Sequence, residues 1–237
     1  MEPDREQAMT VFRRRIEECR TQGVRLIETR VITEQSDLEP ALVAFRAVWH
    51  EAILAELGFE RGIGRVEYRL PLDEAIARLE AKVSLSTLTW LKVENKPGSE
   101  LERAARVLRA VSAGAPDSAA YDDALGHLLA RREDHELTLP PESLQIGLLD
   151  RDEAAIIAPS VVPQTGWCSL YHIGVIPAYR GRRLGTEAML HAFRAMREMG
   201  GQTYHDGMDA GNEAMLVLFR RLDAPLYRVM EQWKLFL

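Results

Sequence analysis

Three arginines and two glycines crowd the stretch 179–186, YRGRRLGT, which leads straight into the helix-patterned run EAMLHAFRAMREM. A helix N-terminus already carries partial positive charge and backbone N–H groups without an intrahelical acceptor, so cations there are unfavourable unless an anion offsets them. The pattern predicts an anion cradle. Gly181 and Gly185 admit a ligand close to the backbone, Leu184 and Thr186 begin the helix, and Arg180, Arg182 and Arg183 supply charge. The plainer reading is a solvated basic turn whose arginines reach nearby carboxylates. A P-loop would need Gly-Lys-Ser/Thr at its end, and a dinucleotide site would need Gly-x-Gly-x-x-Gly after a parallel strand; neither stands here.

A second group of chemistry-bearing residues lies at 203–209, TYHDGMD, where Tyr204, His205, Asp206 and Asp209 can give or take protons. Asp-Gly also favours turns regardless of function, so turn chemistry is the competing expectation. Just upstream, WCSLYHIGV (167–175) alternates like a strand. Ser169, Tyr171 and Ile173 then share one face and Leu170, His172 and Gly174 the other, unless a bulge resets the phase. His172 reads first as a hydrogen-bonded structural residue. The histidines form no HExxH pair, no Cys/His cluster appears, and no GxSxG is present, so no metal site is expected.

These residues sit in a 237-residue chain whose 46% hydrophobic content can fill a core. The formal net charge of -6 argues against broad binding to nucleic acid or to anionic membrane, so an anion held by the arginine turn should be small. Cys19 and Cys168 are far apart and read as buried thiols in a reducing cytoplasm. The N-terminal residues are charged almost from the start, and no stretch approaches about 18 apolar residues, so the expected location is cytoplasmic.

Periodicity supplies the elements that must position these groups. Helices are expected at about 5–20, 38–57, 72–79, 100–111, 121–132, 182–199 and 213–222, and strands at 24–31, 64–72, 87–93, 144–149, 154–162, 167–175, 202–206 and 227–235. Short links between the three strands from 144 to 175 predict an antiparallel meander. A helix-then-strand echo joins HEAILAELGF with GRVEYRL to NEAMLVLFRRLDA with YRVMEQW; a degenerate duplication is one reading of it.

The order strand, strand, strand ending in GVIPAYRGRRLGT, helix, strand, then DAGNEAMLVLF resembles the GNAT superfamily of acyl-CoA-dependent N-acetyltransferases. Arg180 and Gly185 match the family's Arg/Gln-x-x-Gly-x-Gly/Ala signature, with Arg183 where the middle glycine often stands. Asn212 and Leu218 match its N-x-x-A-x-x-L-Y segment, with Phe219 in the tyrosine position. The resemblance implies an α/β (α+β layered) fold, a mixed and mostly antiparallel sheet flanked by helices. It covers 88–237, leaving 1–87 as an N-terminal α+β extension or degenerate half-repeat. It implies acetyl-CoA as cosubstrate, its diphosphate on residues 180–186 and its pantetheine and acetyl groups on Ile173, Gly174 and Val175, with Asn212 and Phe219 nearby. The implied reaction is acetyl transfer to a primary amine of a small molecule or protein, with Tyr204 and His205 as catalytic candidates. A non-catalytic acyl-CoA sensor or scaffold is the alternative, encouraged by Phe219. Monomer and homodimer both remain open.

Overall fold

The computed structural model describes residues 5–34, 50–84, 86–93, 99–113 and 143–237. In chain order these form α1 (Arg5–Thr21), β1 (Leu26–Glu34), α2 (described over 50–56), β2 (Glu60–Pro71), α3 (Leu72–Glu80), β3 (Thr89–Lys92) and α4 (Ser99–Ser112). Then follow β4 (Gln145–Leu149), β5 (Asp152–Val162), β6 (Trp167–Val175), a 3-10 turn (Pro177–Tyr179), α5 (Leu184–Glu198), β7 (Thr203–Asp209), α6 (Glu213–Leu222) and β8 (Leu226–Phe236). The helix expected at 121–132 and the first part of the one at 38–57 lie outside the described residues. The strands are ordered β1-β8-β2-β7-β6-β5-β4-β3, so the fold is α/β with a mixed, mostly antiparallel sheet flanked by helices. Among the described residues no helix is long and apolar enough to cross a membrane.

The chain groups into two units. The first holds 1–67, 207–213 and 226–237, and the second holds 68–206 and 214–225. Residues 68–87 therefore go with the arginine turn, and β8 goes with the N-terminal elements. The echo at 50–70 and 212–233 falls on α2 and β2 and on α6 and β8.

In the first unit β1 and β8 pair antiparallel from Leu26↔Phe236 to Glu34↔Arg228. Ile16, Val31, Leu54, Phe59, Trp233 and Leu235 close its core. Cys19, expected to be buried, is only partly so, because α1 turns mainly Met9 and Ile16 inward.

In the second unit β3, β4, β5 and β6 form the expected meander, and β6 then pairs parallel with β7. Helix α4 packs on one side through Ala104, Val107, Leu108 and Val111 against Ile146, Ile156 and Ala158. Helix α5 packs through Ala188, Met189, Ala192, Phe193 and Met196, all fully buried. Its apolar face needs no further anchor than this spacing.

Candidate functional site

Helix α5 starts where it does because Leu184 drops into a cluster with Leu88, Ala154 and Ala155. The chain reaches that point through two left-handed residues, Gly181 (φ 80) and Arg183 (φ 64). Glycine takes this geometry freely, whereas an arginine there costs about 1–2 kcal/mol. Backbone strain of this kind concentrates where a loop must present its N–H groups in a fixed direction. Thr186 N–H and Glu187 N–H donate to Arg183 C=O at 3.0 and 3.3 Å, so the N–H groups of Leu184 and Gly185 precede the first intrahelical bond. A Cβ on Gly185 would meet the end of the Leu218 side chain at 3.4 Å, ordinary contact.

The three arginines divide their work. Arg180 is committed to the protein: its Nε donates to Val175 C=O at 3.0 Å and its Nη2 to Val111 C=O at 2.9 Å. It ties the end of β6 to the last turn of α4, where a cation also suits the helix dipole. Arg182 lies over the Tyr179 ring at 5.6 Å, and Arg183 is exposed. Both line a cavity of about 410 Å³ together with Lys82, Ser84, Thr87, Thr186, Glu187 and Arg221. Arg221 donates to the Thr186 hydroxyl at 3.1 Å. Of the three arginines, Arg182 and Arg183 are thus placed to meet an anion directly.

Past this cradle, β6 and β7 separate. Their parallel ladder holds only Trp167↔Thr203 and Cys168↔Tyr204, although β6 runs on to Val175. A bulge on β6 opposite the Ala158-Pro159 step places Pro159 opposite Leu170 and Ala158 opposite His172, leaving Tyr171 as the extra residue. The bulge resets the simple alternation: both Tyr171 and the Ala158 side of the sheet meet the α4 cluster. Beyond it, Ile176 N–H donates to Ala154 C=O, so by antiparallel alternation Gly174 faces β5 while the N–H groups of Ile173 and Val175 point away from it. Gly174 itself answers to α4, since a Cβ there would stand 2.6 Å from Val111 Cβ.

At the apex of the gap, Asp206 Oδ2 accepts the Leu170 N–H at 2.9 Å and the Tyr204 hydroxyl at 3.0 Å. Tyr204 is fully buried between Phe193 and Phe219, with ring centroids 4.5 and 6.0 Å away. Burial, and then the neighbouring Asp206, push its phenol well above the ordinary range. His205 points to the other side and meets Trp167 edge-on at 5.2 Å, with Arg69 over the same indole. The Asp206-Gly207 pair is strand here, not the turn its dipeptide favours: a Cβ on Gly207 would stand 2.7 Å from Glu67 Cγ and 2.8 Å from Arg65 Nε, so glycine lets those side chains cross the strand. Asn212 directly precedes α6 and its N–H donates to Asp209 C=O at 2.9 Å. Phe219 is 1% exposed and stacks face to face on Tyr68 at 4.2 Å.

Two further groups are inert. Cys168 donates to Thr203 C=O at 3.2 Å and burial raises its thiol to about 12. Burial lowers His172 to about 4, so it is neutral at pH 7. Among the described residues no set of three His, Cys, Asp or Glu side chains groups as metal ligands.

Sequence reasoning missed Glu187 and Tyr68. An acid in a first helical turn reads as ordinary dipole complementation, and nothing local in β2 links Tyr68 to Phe219. Only long-range packing brings either to the site.

The acetyltransferase (GNAT) family model matches residues 102–223, slightly more than half the chain. No curated protein matches. Among solved structures, a tandem GNAT protein from the clavulanic acid biosynthesis pathway superposes with a TM-score of 0.60 at 14% identity, over 93% of this chain and 66% of its own. A functionally unknown conserved protein from Staphylococcus epidermidis gives 0.61 at 12% identity, over 99% and 81%. A GCN5-related N-acetyltransferase from Sphaerobacter thermophilus gives 0.58 at 12%, over 92% and 64%. The chain thus spans slightly under two thirds of the length of the first and third. With the family model lying across the cradle and the strand gap, this chain belongs to the acetyltransferase (GNAT) family.

Proposed function

We propose that the chain is an N-acetyltransferase that moves an acetyl group from acetyl-CoA to a primary amine of a small molecule or a protein. The observation that carries this reading is the end of β6 just before the arginine turn, where the backbone donors of Ile173 and Val175 point away from β5, past the two-residue ladder with β7. The residues fit the donor: left-handed Gly181 and Arg183 lead into a helix start whose Leu184 and Gly185 N–H groups precede the first intrahelical bond, Arg182 and Arg183 line the cavity as cations for a diphosphate, and the end of β6 offers donors to amide and thioester carbonyls.

In the reaction the amine nitrogen forms a C–N bond to the acetyl carbon, the C–S bond breaks, and the amine loses a proton while the thiolate gains one. Ile173 and Val175 N–H groups hold and polarise the carbonyl side. Asp206 fixes the opening between the strands, and Tyr204, buried beneath it, orients Asp206 by its hydrogen bond and does not reach solvent. His205, partly exposed, is the candidate to take the amine proton. Phe219 has no proton to give, but Tyr68, stacked on it, carries a phenol that burial raises above its ordinary range.

A second reading, a sensor or scaffold that binds acyl-CoA without turnover, is favoured by Phe219 alone. Calorimetry with coenzyme A is the first test. Wild-type protein should bind, and Arg182→Glu, which reverses charge at an exposed position, should bind at least tenfold more weakly. Unchanged affinity in that variant would remove the arginine turn from donor binding.

A further inference from the structure

Glu187 is a carboxylate in a cavity built for anions. It lies in the first turn of α5, 7% exposed, on the wall that Lys82, Arg182, Arg183 and Arg221 otherwise make positive. Unpaired, it would repel a phosphate there. Both of its oxygens are instead occupied: Oε1 accepts from the Ser86 hydroxyl (2.9 Å), Thr87 N–H (2.7 Å) and Leu88 N–H (2.6 Å), and Oε2 from the Thr87 hydroxyl (2.7 Å). All of these donors belong to one short segment, the one that follows Lys82 and Ser84 along the cavity wall. Lys82 is tied in turn to the Arg221 carbonyl and pairs with Asp223 at 2.7 Å.

The arginine turn accounts for a diphosphate. Lys82 and Arg221 come from outside it, one after α3 and one near the end of α6, and bring two more cations to the same cavity. Coenzyme A carries one more phosphate, on the 3′ position of its ribose. We infer that Glu187 is a positioning residue: by holding 86–88 against α5 it keeps Lys82 in the cavity with Arg183 and Arg221, and this wall selects a donor with the 3′-phosphate over one without it. The inference rests on the coenzyme A reading above.

The test titrates the full chain by calorimetry with coenzyme A and with 3′-dephospho-coenzyme A. Wild type should bind the first at least tenfold more tightly, the worth of one charge-assisted contact. Lys82→Ala should weaken coenzyme A about tenfold and leave the dephospho form unchanged. Glu187→Ala should lose the preference, and Glu187→Gln should keep it, because an amide oxygen can still accept from Ser86, Thr87 and Leu88. The ratio of the two affinities is the readout, since a merely structural defect lowers both together. If Glu187→Ala does not fold, Lys82→Ala decides. Equal wild-type binding of the two donors, or equal weakening of both by Lys82→Ala, overturns the inference while leaving the coenzyme A reading standing. Binding of neither donor by wild type overturns both.

Discussion

The carboxylate of Asp206 meets the backbone N–H of Leu170 at 2.9 Å, so a side chain occupies the place a backbone carbonyl would take if β6 and β7 stayed paired. A carboxylate reaches further than a carbonyl in a ladder. The strands can therefore stand apart at this point without leaving a buried donor unmet. Tyr204, donating to the same oxygen at 3.0 Å, fixes that carboxylate from the core side.

Removing Asp206 should be costly and amidating it should not. Asp206→Ala leaves both the Leu170 N–H and the Tyr204 hydroxyl without their acceptor, at about 1–3 kcal/mol each, so a loss of about 2–6 kcal/mol is expected. Asp206→Asn keeps an acceptor oxygen and should lose less than about 1.5 kcal/mol. Urea unfolding of both variants checks this; an alanine variant as stable as wild type would mean that water serves the two donors equally well.

Arg183 carries a strain that glycine would relieve. Arg183→Gly should raise stability by about 1 kcal/mol, because φ 64 suits glycine, and should weaken coenzyme A binding about tenfold through the lost cation. Thermal melting and calorimetry on one preparation report both. A variant that is no more stable would show that the turn holds Arg183 without strain.

Much of this was legible in the sequence. The meander, the helix after the arginine turn and the family all follow from periodicity and from two local motifs, because each depends on residues within about one element of each other. Arg180 was not legible: its type and place fit an anion, yet it bonds Val175 and Val111, and the second of these lies 69 residues away. Glu187 failed for the same reason, since its donors at 86–88 lie a hundred residues upstream. Asp206-Gly207 misled in the other direction, where a turn-forming pair is held in strand by side chains from β2 that need the missing Cβ.

Acid should expose the burial of His172. Its folded value near 4 lies below the ordinary 6.5, with burial as the cause, so the unfolded chain binds a proton in that window that the folded chain refuses. Stability from this source is complete above about pH 6.5 and is lost as the pH falls toward 4, by about 3 kcal/mol in all. The unfolding free energy of wild type should fall between pH 7 and pH 4 by that much more than that of His172→Gln. Identical slopes would assign the acid loss to carboxylates alone.

Tyr68 should matter to turnover more than to binding. Its phenol is stacked on Phe219 and carries a proton at neutral pH, so Tyr68→Phe should leave coenzyme A affinity near wild type while lowering turnover about 10²-fold. Steady-state kinetics with calorimetry separates the two. Unchanged turnover would leave the thiolate to take its proton from solvent.

Release of free thiol from acetyl-CoA, followed against a broad panel of primary amines with the acetylated product identified by mass, decides between transfer and mere binding. Amine-dependent thiol release, matched mole for mole by an N-acetylated product and weakened by Arg182→Glu, is the expected result. Coenzyme A bound tightly by the wild-type chain, with no thiol released in the presence of any amine, would contradict it and leave a binding protein on an acetyltransferase fold.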